Sequence, residues 1–211
     1  MNRIAILSDF DGTITPLNVL DSLYTKFAGP SHKFHMERWT RGEISTKEEM
    51  KRIFETVKAS RDEMESYLCT FELDPGFIPL LGFCEQRNYP FAIVSDGLRW
   101  YIDYILGYYA VEGVRVFASE IHFEDGFRFE YPWYDPAYPK RSTAKPLVIE
   151  DYQSRGYQVV FVGDGLSDVE AAGSADLVYA KDVLLRITRQ RGIVAKEFDN
   201  LGDIIEDLKR L

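Results

Sequence analysis

Cysteine is nearly missing from this chain of 211 residues: Cys69 and Cys84 are the only two, and they form no CxxC pair. That excludes a disulfide framework and a cysteine-rich zinc site. Each thiol sits among apolar neighbours and is expected to be buried and free. Histidine is scarce as well, with three in all, which leaves little from which to build an imidazole metal centre. Long apolar runs are absent, and none approaches the roughly 20 residues that cross a bilayer. Met1 leads almost at once into a short apolar run that ends in acids, unlike a signal peptide, so a soluble cytoplasmic protein is expected. A basic excess is missing too. Lys and Arg number 25 against 34 acids, for a net charge of -9, which argues against a nucleic-acid partner. The densest basic stretch, Lys181 to Arg191 with Arg186, Arg189 and Arg191, reads as the solvated face of a helix. There is no internal repeat and no low-complexity tract.

What is present is globular. Apolar residues make up 45% and charged residues 28%, enough for one compact core with a modest second unit. Four short apolar runs read as buried parallel strands: Ile4 to Leu7, Phe91 to Val94, Val159 to Val162, and Leu177 to Ala180. Three of them end in polar clusters: Ser8-Asp9-Phe10-Asp11-Gly12-Thr13, Ser95-Asp96-Gly97, and Gly163-Asp164-Gly165. Helical patterns lie between them. The alternation predicts an α/β fold with a doubly wound, mainly parallel sheet, in which the strand ends meet at one crevice.

Residues 16–73 carry no strong strand run. Leu17 to Ala28, His32 to Arg41, Thr46 to Val57 and Arg61 to Leu68 look helical, with capping boxes expected at Thr46–Glu49 and Ser60–Glu63. This segment reads as a small helical cap inserted between residues 1–15 and 74–211 of the core, with the chain returning near Asp74-Pro75-Gly76. Val116 to Phe123, a Glu124-Asp125-Gly126 turn and Phe127 to Tyr131 read as a β-hairpin. Pro132 to Thr143 reads as an extended loop.

Two acids at a strand end, such as Asp9 and Asp11, are ordinary turn residues when taken alone. The buried lead-in and the Gly12-Thr13 that follow give them more weight. Asp164 follows another buried strand, and Asp168 falls in the first turn of the helix beyond it. An acid there commonly just complements the helix terminus, worth about 0.3 to 1 kcal/mol. Three or more acids in one crevice would repel one another and resist ionisation unless a divalent cation joined them. Hard oxygen ligands favour magnesium over zinc. Ser95, with the amides of Asp96 and Gly97, can hold phosphate oxygens, although Ser95 alone reads rather as an ordinary helix cap. A cation is expected at the phosphate. Lys145, just before Pro146 at the start of a helix, is the first candidate, and Lys140 is its rival.

The four segments Asp9-Phe10-Asp11-Gly12-Thr13-Ile14-Thr15, Ser95, Lys145 and Gly163-Asp164-Gly165-Leu166-Ser167-Asp168 resemble, in order and strand placement, the motifs of the haloacid dehalogenase-like hydrolase superfamily. The resemblance implies a phosphatase working on a small phosphorylated metabolite, with neither nucleic acid nor membrane as partner. Asp9 would be the nucleophile that becomes an aspartyl-phosphate, and Asp11 the general acid and base. Magnesium would be held by Asp9, the Asp11 backbone carbonyl and Asp164, with Asp168 supporting. Ser95, Asp96, Gly97 and Thr13 would bind phosphate alongside Lys145, and Thr13 would also fix the first loop.

The helical insert resembles the cap of the phosphoserine phosphatase branch. The glutamate and arginine with which that branch grips its substrate would fall on Asn18 and near Ile53, both departures. A nearer likeness is to the MtnX-like phosphatases, through Ile44-Ser45-Thr46-Lys47-Glu48, Arg52-Ile53-Phe54, Lys145-Pro146, Asp168-Val169-Glu170-Ala171-Ala172 and Ala180-Lys181-Asp182. Their cysteine-rich loop has no counterpart in residues 132–144. Phe34, Trp39, Met50 and Tyr24 are candidates to line the cap, though aromatics at helical spacing usually form core. A phosphotransferase or phosphomutase would use the same Asp9 intermediate and is the alternative. A non-catalytic binding protein is a third reading.

Overall fold

The computed structural model describes residues 3–124 and 126–210. In chain order the elements are β1 (Ile4–Ser8), α1 (Val19–Phe27), α2 (His32–Thr40), α3 (Thr46–Phe54), α4 (Arg61–Leu68), α5 (Phe77–Arg87), β2 (Phe91–Leu98), α6 (Arg99–Tyr108), β3 (Arg115–His122) and β4 (Arg128–Glu130). Then come α7 (Lys145–Ser154), β5 (Gln158–Gly163), a single 3-10 turn (Leu166–Asp168), α8 (Val169–Ser174), β6 (Leu177–Ala180), α9 (Asp182–Arg191), β7 (Lys196–Glu197) and α10 (Leu201–Leu208).

The strands form one sheet in the order β4-β3-β2-β1-β5-β6-β7. Every pairing is parallel except β3 with β4, the expected hairpin. Asp125 of its turn lies outside the described residues. Alternation along β1 sends Ile4 and Ile6 to one face and Ala5 and Leu7 to the other, so two cores form. The first lies under α1, α3–α6 and α10, and the second under α7–α9.

Register decides where the chemistry can sit. Ser8 at the end of β1 is level with Ile93 of β2 and Val162 of β5. Asp9, Ser95 and Asp164 therefore leave three neighbouring strands within about two residues of the same level. The chain departs after this loop into α1–α4 and returns beside it, where the Asp74 amide donates to the Ile14 carbonyl at 2.7 Å.

Several local expectations need correction. Ser45, not Thr46, caps α3, its hydroxyl accepting from the Glu48 amide at 3.2 Å. Thr46 is instead the first helical residue, and its hydroxyl donates to the Lys140 carbonyl. Glu49 is thereby freed from any capping role. The Ser60–Glu63 box is present as expected. β2 does not stop at Val94. It runs to Leu98 through an irregularity that re-pairs Leu98 with Ser119, so Ser95 is not a helix cap. Cys84 is buried, and burial pushes its thiol up to about 12, whereas Cys69 is only half-buried. Arg186, Arg189 and Arg191 are exposed on α9, as the charge run predicted. Among the described residues, no helix is long and apolar enough to cross a membrane.

Candidate active site

The Asp-Phe-Asp alternation past β1 does two jobs. Phe10 is fully buried in the first core, a burial worth roughly 1.5 to 3 kcal/mol, and so anchors the loop that carries the two acids. The amides of Thr13, Ile14 and Thr15 all converge on the Phe10 carbonyl at 2.9 to 3.2 Å. Gly12 closes the turn at φ +81°, where a side chain would collide with the Asp164 carboxylate. Thr13, expected at the phosphate, donates its hydroxyl to Asp164 Oδ1 at 2.8 Å. It ties the first loop to the β5 end, in keeping with the loop-fixing part expected of it.

Lys145 sits at the first position of α7, 1% exposed, and its ammonium bridges two acids. Nζ lies 2.7 Å from Asp9 Oδ1 and 2.6 Å from Asp168 Oδ1. Burial acts to lower the pKa of this ammonium, but the charges of Asp168, Asp9 and Asp96 outweigh it and raise the pKa. Lys140, the rival candidate, is exposed and offers only its carbonyl, to Thr46. Asp168 is wholly buried. Its Oδ2 accepts from the amides of Asp164 and Gly165 at 3.1 and 3.0 Å, which fixes the turn after β5.

Carboxylate oxygens of Asp9, Asp164 and Asp168 all lie within 4.8 Å of one another. Burial, then the Asp168 charge, drives the Asp9 pKa well up. The same causes raise Asp164 to about 7. Such a cluster is poorly satisfied by protein alone. Among the described residues, Asp9 Oδ2 and Asp164 Oδ2 accept no hydrogen bond, and the cluster has only hard oxygen donors. A divalent cation of the magnesium class fits this set. Both Asp168 oxygens are already engaged, so it suits a supporting place.

Asp11 is held from three sides. Its Oδ1 accepts from the amides of Val19 and Leu20 at 2.8 and 3.3 Å, at the start of α1, and its Oδ2 accepts from the Tyr101 hydroxyl. Burial raises its pKa, and these three donors oppose that rise. A carboxyl whose pKa is raised at a crevice wall is suited to hand on a proton.

Ser95 is buried at the β2 edge of the crevice. Its oxygen accepts from the Gly97 amide at 2.9 Å, so that amide, expected to face phosphate, is already used. The Ser95 proton remains available to an acceptor. Asp96 turns its carboxylate away to the amides of Ser142 and Thr143, at 3.0 and 2.8 Å, and to the Ser142 hydroxyl. It thereby holds the 132–144 loop and, through that loop, the start of α7. Buried Arg141 grips Glu170 with two nitrogens and the Leu166 carbonyl with one of them, locking that loop to α8. Sequence reasoning missed Tyr101 and Arg141, which have no motif around them, and took Glu49 only for a capping acid. Only the fold shows what these side chains meet.

The family profile for haloacid dehalogenase-like hydrolases matches residues 6–173. The chain belongs to the haloacid dehalogenase-like hydrolases. Relatives in that family include the 2-hydroxy-3-keto-5-methylthiopentenyl-1-phosphate phosphatase of Exiguobacterium sibiricum, 29% identical over 98% of this chain and 96% of that protein. The bifunctional enzyme MtnB/MtnX of Bacillus licheniformis is also 29% identical, over 97% of this chain but only 49% of that longer protein. A solved phosphoserine phosphatase, described as a phospho-aspartyl intermediate analogue, superposes with a TM-score of 0.76 at 20% identity, covering 98% of this chain and 99% of that one. The haloacid dehalogenase-like fold is thus shared almost end to end. Within the family this chain is a phosphatase-type hydrolase.

Proposed function

We propose that the protein hydrolyses a small phosphate monoester with magnesium, through a phosphoryl group carried on Asp9. The observation behind this reading is the meeting of Asp9, Asp164 and Asp168 within 4.8 Å, with Lys145 bonded between two of them. Phosphate esters are among the slowest biological bonds to hydrolyse unaided, and positioning with charge neutralisation must supply most of the acceleration.

Asp9 attacks phosphorus, and the P–O bond to the alcohol breaks. Asp11 gives the departing oxygen its proton and then takes one from the water that cleaves the acyl phosphate, splitting one hard displacement into two steps. Lys145 neutralises a phosphoryl oxygen, and the Ser95 hydroxyl donates to another. Magnesium, held by Asp9, the Asp11 backbone carbonyl and Asp164, would offset phosphoryl charge when bound. Asp168 holds Lys145 and the β5 loop in register. The α1–α4 segment, residues 16–73, acts as a cap that shapes the alcohol side of the crevice, and Asn18, which caps α1, and Asp21 on α1 line that side.

The test is phosphate release from an aryl phosphate with magnesium and after chelation. Release that depends on the metal and stops in Asp9→Asn supports the reading. Undiminished release in Asp9→Asn contradicts it.

A further inference from the structure

The alcohol side of the crevice contains a carboxylate that the phosphatase chemistry does not use. Glu49, in the first turn of α3, is 5% exposed and lines the same cavity of about 100 Å³ as Asp9, Asp11 and Ser95. No hydrogen bond or ion pair from the described residues reaches its carboxylate. Beside it, the buried Tyr24 hydroxyl is also without a partner. A buried carboxylate left unpaired is costly, and native proteins keep such groups where a ligand completes them.

The surroundings indicate what that ligand carries. The other cap residues on the cavity wall are Asn18, Leu20, Asp21, Trp39 and Thr46, and the wall as a whole contains no Lys or Arg. Burial, with the charges of Asp21 and Asp96, lifts the Glu49 pKa to about 8, and Asp21 is raised to about 6 by burial and Asp11. A substrate carboxylate here would meet acids and no counter-charge. An ammonium would meet two carboxylates and the Trp39 ring, whose N–H is already taken by Thr46 at 3.0 Å. Indole is also the best aromatic partner for a cation.

Building on the phosphatase reading, we propose that Glu49 selects the substrate by binding an ammonium group on a short phosphorylated amino alcohol that lacks a carboxylate. The phosphoryl end lies against Asp9, whose carboxylate is held by the buried Lys145 behind it, and the amine lies against Glu49 and Asp21. The small cavity limits the alcohol to a short chain.

Phosphonates, which cannot be hydrolysed, test this by binding alone. Titration calorimetry with magnesium compares aminopropylphosphonate with propylphosphonate. Wild-type protein is expected to bind the amine at least about tenfold more tightly, as pairing with a buried charge implies. Glu49→Gln, confirmed folded by thermal unfolding, brings the ratio close to one. Equal binding of the two probes by wild type, or a ratio that survives in Glu49→Gln, overturns the proposal. Aryl phosphate hydrolysis by the same preparation keeps the two readings apart. Phosphate release without amine preference sinks the ammonium site alone, and amine preference without release sinks the hydrolytic reading alone.

Discussion

The Lys145 ammonium lies 2.7 Å from Asp9 Oδ1, with both side chains buried. Lys145 comes from the start of α7 and Asp9 from the end of β1, separated by 136 positions. The contact gives the proposed nucleophile a counter-charge and, in the proposed reaction, sets a positive charge beside the phosphoryl oxygens.

Lys145→Ala should therefore lower kcat by at least about 10², the scale seen for loss of one charge-stabilising donor. It should also lower the melting temperature, because Asp9 and Asp168 are left buried without their cation. Lys140→Ala should change neither, since its side chain is exposed. Steady-state kinetics on an aryl phosphate with thermal unfolding checks both. The opposite ranking would make Lys140 the catalytic lysine.

Asp11→Asn should cost about 10² to 10⁴ in kcat for a substrate with a poor leaving group. The penalty should shrink for an aryl phosphate, whose leaving oxygen needs little protonation. Magnesium affinity, read by calorimetry, should persist because only the backbone carbonyl of residue 11 is assigned to the metal. Collapse of metal binding would contradict that assignment.

Tyr101→Phe removes one of the three donors on Asp11. The expected outcome is a fall in kcat of about tenfold, on the scale of one hydrogen bond to a charged group, with KM little changed. A change confined to KM would place Tyr101 at substrate binding instead.

Glu49 gives a pH-dependent stability. Its folded pKa of about 8 lies above the ordinary value of 4.5 because of burial and the nearby Asp21 and Asp96 charges. The folded state holds that proton between these values while the unfolded state has released it. Stability therefore falls as pH rises through this window, by up to about 1.4 kcal/mol per pH unit. Glu49→Gln removes the effect, so its advantage in melting temperature over wild type should grow from pH 5 to pH 8. A constant gap would show that Glu49 is not buried and unpaired in the free protein.

The sequence disclosed most of this fold because buried parallel strands are short apolar runs and their polar ends are local in the chain. Ile4 to Leu7 followed by Asp9-Phe10-Asp11 carries strand, turn and acids in eight consecutive positions. Lys145 was legible through Pro146 at a helix start, although only the structure separated it from Lys140. Ser45 and Thr46 are both competent caps, and nothing local decides between them. The choice follows from the Thr46 hydroxyl meeting Lys140 across the crevice. That one-residue shift turned Glu49 from a capping acid into a crevice acid. Tyr101 and Arg141 were invisible because their partners, Asp11 and Glu170, are 90 and 29 positions away.

The central claim is a covalent phosphoryl group on residue 9. Asp11→Asn slows hydrolysis of that group while an aryl phosphate still forms it. Borohydride quenching of this variant during turnover, followed by peptide mass spectrometry, should find homoserine at position 9, the reduction product of an aspartyl phosphate. Unmodified Asp9 during continuing phosphate release, or modification at another residue, would contradict the account.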